Sequence, residues 1–511
     1  MGCRLVAWRF NQDQRIRGAQ QMNLVQALSA MSLMAVFHTN AAEPANIANS
    51  GLKPARPNIV FILVDDMGYG DPGCYNSESK ILTPSIDSLA RDGMRFTDAH
   101  ASGPLCHLSR YGLMTGQYPF RATPNKWRQQ PTIDEDRVTM PGLLKSAGYS
   151  TAMVGKWHLG FREDGYDKPL PGGPADRGFD SFFGIRASTD IPPYFYIRGN
   201  RAVSPPTSHI GANSSAGWSP IQGEFWREGG IAPDLALKDV LPRFTEEAIS
   251  VLEKHSAAKT QTPLMMYLAY PAPHTPWLPS RQFAGKSQAG MYGDFMMMVD
   301  HHIGRVLQTL ESTGMADDTL VIFTSDNGPV WYDKDVEKFG HDSSGGLRGM
   351  KSDAWECGHR MPFVVSWPGI VDSGTTAEQT ISFVDVMATL AEVADVDLPG
   401  DAAPDSYSFR DVLIGRQLDQ PTRTDLVLKS GNGFMTIRSG DWKYIDGLGS
   451  GGFSKPNRVK PGKGGPVGQL YNLKLDPDES DNVYSDHTDL AKQLQARMKR
   501  IAASNGQRLM P

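Results

Sequence analysis

Apolar residues in this chain come in short unbroken runs that end abruptly in polar chemistry. Asn58-Ile-Val-Phe-Ile-Leu-Val64 stops at Asp65-Asp66, and Thr319-Leu-Val-Ile-Phe-Thr-Ser325 stops at Asp326-Asn327-Gly328. Thr151-Ala-Met-Val154 runs into Gly155-Lys156-Trp157-His158, and Leu264-Met-Met-Tyr-Leu-Ala-Tyr270 into Pro271-Ala-Pro-His274. Continuous rather than alternating apolar runs, bounded by Gly and Pro, predict central strands covered on both faces. Helical signals lie between them. Thr83-Pro84 marks a helix start closed by Gly93, and residues 240–255 and 292–312 carry helical periodicity. Alternating strands and helices predict an α/β domain whose sheet is sandwiched by helices. In such a sheet, polar groups at the carboxyl ends of the strands collect into one site.

The pattern changes near residue 400. Residues 400–408 read as a loop, and short strands follow at 424–428, 434–438 and 442–445 with hairpin spacing. A Gly-, Lys- and Pro-rich loop at 447–468 and a last helix at 489–503 complete a small C-terminal α+β subdomain. At the other end, the apolar run 24–37 follows Arg15 and Arg17 and precedes Thr39-Asn40-Ala41-Ala42, with Met22 a plausible start. This predicts a secretory signal peptide over 1–42 and an exported protein, periplasmic or secreted. The expected organisation is then the leader, a catalytic domain over 54–415 and the subdomain over 416–511. No later apolar run reaches the length of a membrane span, so none is expected once the leader is removed.

Composition narrows the function. The 511 residues are 40% hydrophobic, enough for a large core, and 51 Lys+Arg stand against 56 Asp+Glu for a net charge of −5. That balance argues against a nucleic-acid binder. Of four cysteines, Cys3 leaves with the leader, and Cys74, Cys106 and Cys357 form an odd set. Cys74 and Cys357 are one possible pair, and at least one thiol stays single or modified. No zinc-type spacing occurs.

Asp65-Asp66 and Asp326-Asn327 together supply hard oxygen ligands that suit Ca²⁺, or Mg²⁺, better than zinc. Each pair alone is also a common turn element. In Gly103-Pro-Leu-Cys106-His-Leu-Ser-Arg110-Tyr-Gly-Leu-Met-Thr-Gly116, a helix starting near Cys106 places Arg110 one turn on, on the same face. A helix start offers free N–H groups to an anion.

That segment resembles the signature of the formylglycine-dependent (type I) sulfatase family, Cys-x-Pro-Ser-Arg followed by Leu-Thr-Gly. Other stretches resemble further motifs of the family, in its order. They are NIVFILVDDMGYGD from Asn58, Gly155-Lys-Trp-His-Leu-Gly160, Pro273-His-Thr-Pro276, Ser325-Asp-Asn-Gly328 and Leu347-Arg-Gly-Met-Lys351, the last followed by Trp355-Glu-Cys-Gly-His-Arg-Met-Pro-Phe363. The match spans about residues 56–480 and is closest to bacterial carbohydrate sulfatases. One position departs: Leu108 stands where the signature has proline.

The resemblance implies the alkaline-phosphatase-like fold, a large mixed sheet between helices with a smaller C-terminal subdomain. It implies sulfate-ester hydrolysis by a Cα-formylglycine made from Cys106 by a maturation enzyme, on a sulfated sugar or an aryl sulfate. Asp65, Asp66, Asp326 and Asn327 would hold the metal, which also contacts residue 106. Arg110 would orient that residue's hydrate, Lys156 and Lys351 would bind sulfate oxygens, His274 would protonate the leaving group, and His158 would take the proton that releases sulfate. Asp190, Tyr194, His341, Asp353 and His359 lie in loop-like segments and are expected as sugar contacts. Two other readings stay open. One is a phosphate mono- or diester hydrolase of the same superfamily; the other is a non-catalytic binder of sulfated glycan, should Leu108 block the maturation of Cys106.

Overall fold

The computed structural model describes residues 56–508, so the expected leader and Cys3 lie outside the described residues. The first apolar run forms strand β1 (Asn58–Asp65), with residues 59–64 at 0% exposure. Such a strand must be covered on both faces, as its lack of alternation predicts. The other principal strands of the same sheet are β2 (Met94–His100), β3 (Ser150–Lys156), β4 (Ser181–Ile185), β5 (Leu264–Pro273), β6 (Thr319–Ser325) and β7 (Arg360–Ser366). They lie in the order β2-β7-β6-β1-β5-β3-β4, extended by short edge strands to eleven. Neighbours from β6 to β4 are parallel, and β7 is antiparallel to both β6 and β2. The sheet is therefore mixed. Strands β2 and β7 have no clean apolar run, because Asp98, His100 and Arg360 interrupt them, and sequence pattern alone passed over both.

The registers bring four strand ends level. Val64 of β1 pairs with Ser325 of β6, Asp65 with Pro273 of β5, and Gly155 of β3 with Ala269 of β5. Gly155 has φ +118°, and a Cβ there would lie 2.0 Å from the Ala269 carbonyl oxygen. Only glycine permits that approach.

Helix α1 (Pro84–Arg91) starts at the expected Thr83-Pro84, yet Thr83 makes no side-chain cap. The free N–H groups of Ser85 and Ile86 donate instead to Asp300. Asp300 lies far along the chain, on α4 (Gly290–Ser312), which follows α3 (Val240–Ala257). Helix α2 (Cys106–Thr115) begins at the signature cysteine and closes on left-handed Gly116.

After residue 416 the chain forms an antiparallel sheet of β8 (Asp425–Lys429), β9 (Met435–Ser439), β10 (Trp442–Ile445) and β11 (Gln469–Asn472), in that order. Helix α5 (Thr488–Ala503) covers it with Ala491, Leu494, Met498 and Ile501. Tyr118 and Val384 join the same apolar cluster, so the small sheet shares its core with the larger part. No helix among the described residues is long and apolar enough to cross a membrane.

Cys74 and Cys357 do not pair. Cys74, Cys106 and Cys357 are all free thiols. Cys74 is half-buried with its N–H on Asp87, while the carbonyl of buried Cys357 packs against Gly328.

Candidate active site

Level strand ends place the charged residues side by side. Asp65 ends β1 and Asp66 follows it, Asp326 and Asn327 follow β6, Lys156 ends β3, and His274 follows β5. Helix α2 delivers Cys106 and Arg110 to the same place. Cys106 Sγ lies 3.2 Å from Asp65 Oδ1 and 3.4 Å from Lys351 Nζ. Arg110 donates to Asp326 Oδ2 from Nε and Nη2 at 3.0 and 2.8 Å, and to the Lys156 carbonyl at 2.8 Å. Lys351 Nζ donates to both oxygens of Asp66 at 2.6 and 2.7 Å, and Lys156 Nζ donates to Asp65. All of these groups except His274 are buried. Three carboxylates thus balance three cations, which is the condition for burying so many charges.

Backbone strain accompanies the chemistry. Asp66, His158 and Ser352, next to Lys351, have φ of +67°, +60° and +78°. Non-glycine residues rarely adopt such values, and the cost is on the order of 1–3 kcal/mol each. The surrounding fold must hold them there. For the loop after Asp66, the holders are Tyr292 and His341. Both hydrogen-bond Asp71, which also accepts from Gly68 N–H at 2.6 Å. Asp71 lies within the quoted motif, but nothing in the sequence marked it as a support.

Electrostatics sort the groups. Burial raises the Asp65 carboxyl, but Lys156, His274 and Arg110 outweigh it and hold Asp65 well below the usual range. Burial and neighbouring Asp65 push Asp326 up to about 6. Burial, with Asp326 and Asp65 close by, also pushes the Cys106 thiol well up, so as cysteine it stays neutral and is a weak nucleophile. Burial lowers Lys351, yet Asp66 more than compensates and keeps it charged.

The two histidines differ. His158 is buried and neither ring nitrogen has a hydrogen-bond partner. Burial and the Lys156 charge push it well below the ordinary imidazole range, so it is a neutral base. The edge-to-face ring of Trp127, at 4.2 Å between centroids, fixes its orientation. His274 is more open. Its Nδ1 lies 2.8 Å from the Thr275 carbonyl, which assigns a proton there and leaves Nε2 3.6 Å from Asp66 Oδ2.

Asn327 donates from Nδ2 to Asp66 Oδ1 at 2.6 Å, while its Oδ1 is buried without a partner. Asp65, Asp66, Cys106 and His274 bring ligand-type atoms within 4.8 Å of one another. An unspent amide oxygen beside three carboxylates fits a hard divalent cation.

The family model for sulfatases matches residues 57–396. The chain belongs to the sulfatase family. It is 33% identical to an N-acetylgalactosamine-6-O-sulfatase of Bacteroides thetaiotaomicron, over 89% of this chain and 94% of that one. It is 31% identical to human steryl-sulfatase, over 71% and 70% of the two chains. A solved Bacteroides thetaiotaomicron 6S-sulf structure, described under the metabolism of multiple glycosaminoglycans, superposes with TM-score 0.75 at 32% identity, covering 88% of this chain and all of that one. The chain is thus a sulfuric ester hydrolase with the fold its sequence predicted.

Within this sulfatase, Leu108 sits in the first turn of α2. Its N–H donates to the Leu105 carbonyl at 2.9 Å, a bond proline could not make. The replacement therefore leaves the helix start and Arg110 in place.

The expected sugar contacts separate into two groups. Asp190 stands by the site: its Oδ2 pairs with Arg227, and its Oδ1 is 3.9 Å from His274 Nδ1. The other four side chains are engaged elsewhere. Tyr194 hydroxyl bonds the Arg227 carbonyl at 2.7 Å, His341 holds Asp71, and Asp353 accepts from Met350 and Ser454 N–H groups. His359 faces His100 in a buried cluster against the small sheet. Loop-like sequence reads as exposed, whereas these loops are packed, and their polar residues satisfy backbone groups. Arg227 and Trp127 were not anticipated at all, because neither lies in a motif.

Proposed function

We propose that this sulfatase removes 6-O-sulfate from N-acetylgalactosamine in sulfated glycans outside the cytoplasm. It would use residue 106 as formylglycine and a calcium ion, with magnesium the alternative. The observation that carries the reading is the position of Cys106. Its sulfur lies by Asp65 and Lys351 at the start of α2, in the same cluster as Asp66, which accepts from Asn327. The substrate class rests on the named activity of the Bacteroides relative, with which nearly the whole chain aligns.

Asp65, Asp66, Asp326 and Asn327 would hold the cation, which when bound polarises the sulfuryl oxygens and acidifies the nucleophile. Once the maturation enzyme has converted it, residue 106 supplies a hydroxyl for attack on sulfur. Arg110, fixed on Asp326, orients that group. Lys156 and Lys351 hold sulfuryl oxygens as point charges where negative charge accumulates. His274 Nε2, 3.6 Å from Asp66 Oδ2, delivers a proton to the departing sugar oxygen. His158, neutral and without a partner, accepts the proton of the remaining hydroxyl as sulfate leaves.

The test uses protein from its native host. Mass spectrometry of the peptide holding residue 106 should give formylglycine, and ion chromatography should detect sulfate released from N-acetylgalactosamine 6-sulfate. Activity should fall with a calcium chelator and return on adding Ca²⁺. An unmodified cysteine in fully active protein would overturn the nucleophile; release only from aryl sulfates would overturn the sugar.

A further inference from the structure

A cavity of about 460 Å³ opens beside the start of α2, between the large part of the molecule and the small sheet. Leu105 and His107, the two neighbours of Cys106, form part of its wall. The His107 ring also lies 5.7 Å from that of His158, so this wall is continuous with the site. Its volume is within the usual range of ligand pockets, about 300–1,000 Å³. Phe120 and Pro124 give an apolar surface of the kind that stacks on a sugar face, and the turn 429–433 closes the other side.

The charge of this cavity is one-sided. Among the described residues no Asp or Glu lines it, and Lys429 is the only Lys or Arg that does. Lys429 is exposed at the end of β8, and among the described residues no carboxylate lies within ion-pair distance of it. The contrast with the rest of the chain is sharp, since the protein is net negative and most of its buried cations are paired.

We infer that this cavity receives the sugar adjoining the sulfated one, and that Lys429 binds an anionic group on it, a carboxylate or a second sulfate ester. The inference rests on the proposed sugar substrate and extends it from one residue to an acidic glycan. The catalytic part positions the sulfate; the small sheet reads the charge of the neighbouring ring. An ammonium facing an oxyanion forms a charge-assisted hydrogen bond, and at an exposed site that bond weakens with salt.

Three disaccharides with the same 6-sulfated residue provide the test: one joined to a uronic acid, one to a neutral hexose bearing a second sulfate, and one to an uncharged hexose. Lys429→Ala should raise KM about tenfold for whichever charged disaccharide is the ligand, leaving kcat unchanged. The uncharged disaccharide should be turned over as by the unsubstituted protein, and Lys429→Arg should restore most of the loss. The effect should shrink as salt rises. An equal change for all three substrates, or none, overturns the inference. Titration calorimetry with the desulfated acidic disaccharides needs no turnover and separates the two failures. Lys429-dependent binding without sulfate release would fault the proposed reaction alone, and Lys429-independent binding would fault this subsite.

Discussion

At the strand ends, Asp65, Asp66 and Asp326 face Arg110, Lys156 and Lys351; between the large and small sheets, Asp98, Glu356 and Glu479 face Arg360, Arg438 and Lys443. Both clusters set three buried acids against three bases, with Arg360 and Arg438 partly exposed in the second, and both contain imidazoles. In the second, His100 lies between Asp98 and His359, at 3.0 Å from each. Lys443 spans Glu356 and Glu479 at 2.9 Å from both. Even the Glu356 oxygen without a hydrogen bond rests on Arg360 at 3.5 Å and Arg438 at 3.8 Å. Each polar group there is answered by the fold. At the strand ends, Asn327 Oδ1 and both nitrogens of His158 are buried and unanswered. A closed charge cluster joins two sheets. An unfinished one, with strained backbone at Asp66 and His158, has capacity left for something that is not protein. Composition alone does not separate them, since His100, Glu356 and His359 also have the residue types and spacing of a metal site.

Substitutions should part the two clusters cleanly. The largest effect is expected from Cys106→Ala, which removes the proposed nucleophile and should lower sulfate release by at least about 10⁴-fold while leaving thermal stability nearly unchanged. Sulfate assays and calorimetry on the same sample check both halves. Next, Lys443→Met leaves Glu356 and Glu479 buried without their shared cation. It should cost about 3–5 kcal/mol of stability in denaturant titrations, with activity per folded molecule preserved. A loss of activity without a loss of stability would show that the second cluster is not merely structural.

A smaller effect is expected for His158→Asn. It removes a neutral base and should slow turnover about 10²–10³-fold with little change in KM. The smallest concerns pH. Burial pushes Glu479 up to about 7 from an ordinary glutamate value of 4.5, with Lys443 opposing. The folded state then holds a proton that the unfolded chain has lost between those values. This contribution to stability is complete below pH 4.5 and declines as pH rises through 7, on the order of 3 kcal/mol in all. Glu479→Gln should flatten that window in melting curves taken from pH 4 to 8. Its acceptor for the Glu356 N–H is retained, so folding should survive.

Much of this molecule was legible before any coordinate. The unbroken apolar runs at 58–64, 264–270 and 319–325 read as doubly covered strands, and their polar endings marked where chemistry would gather. Helix starts at Thr83-Pro84 and Cys106 lay where local signals put them. Where polar residues interrupted strands, as in β2 and β7, the period was lost and the strands with it. The sugar contacts were the weakest part. His341, Asp353 and His359 are reactive side chains in irregular segments, and sequence carries no sign of whether a loop is packed or open.

Chain order therefore determined the strands, the helix that presents Cys106, and the set of acids, bases and imidazoles available for sulfate chemistry, because periodicity and backbone preference act locally. Only the tertiary structure decided which of those groups remain unsatisfied. It made Asp300 rather than Thr83 the cap of α1, packed His359 into a paired charge cluster and left His158 without partners, and left Lys429, among the described residues, without an acidic partner at a cavity wall. Those outcomes depend on which distant residue arrives within about 3 Å, and hydrogen bonds and ion pairs are decided at that range.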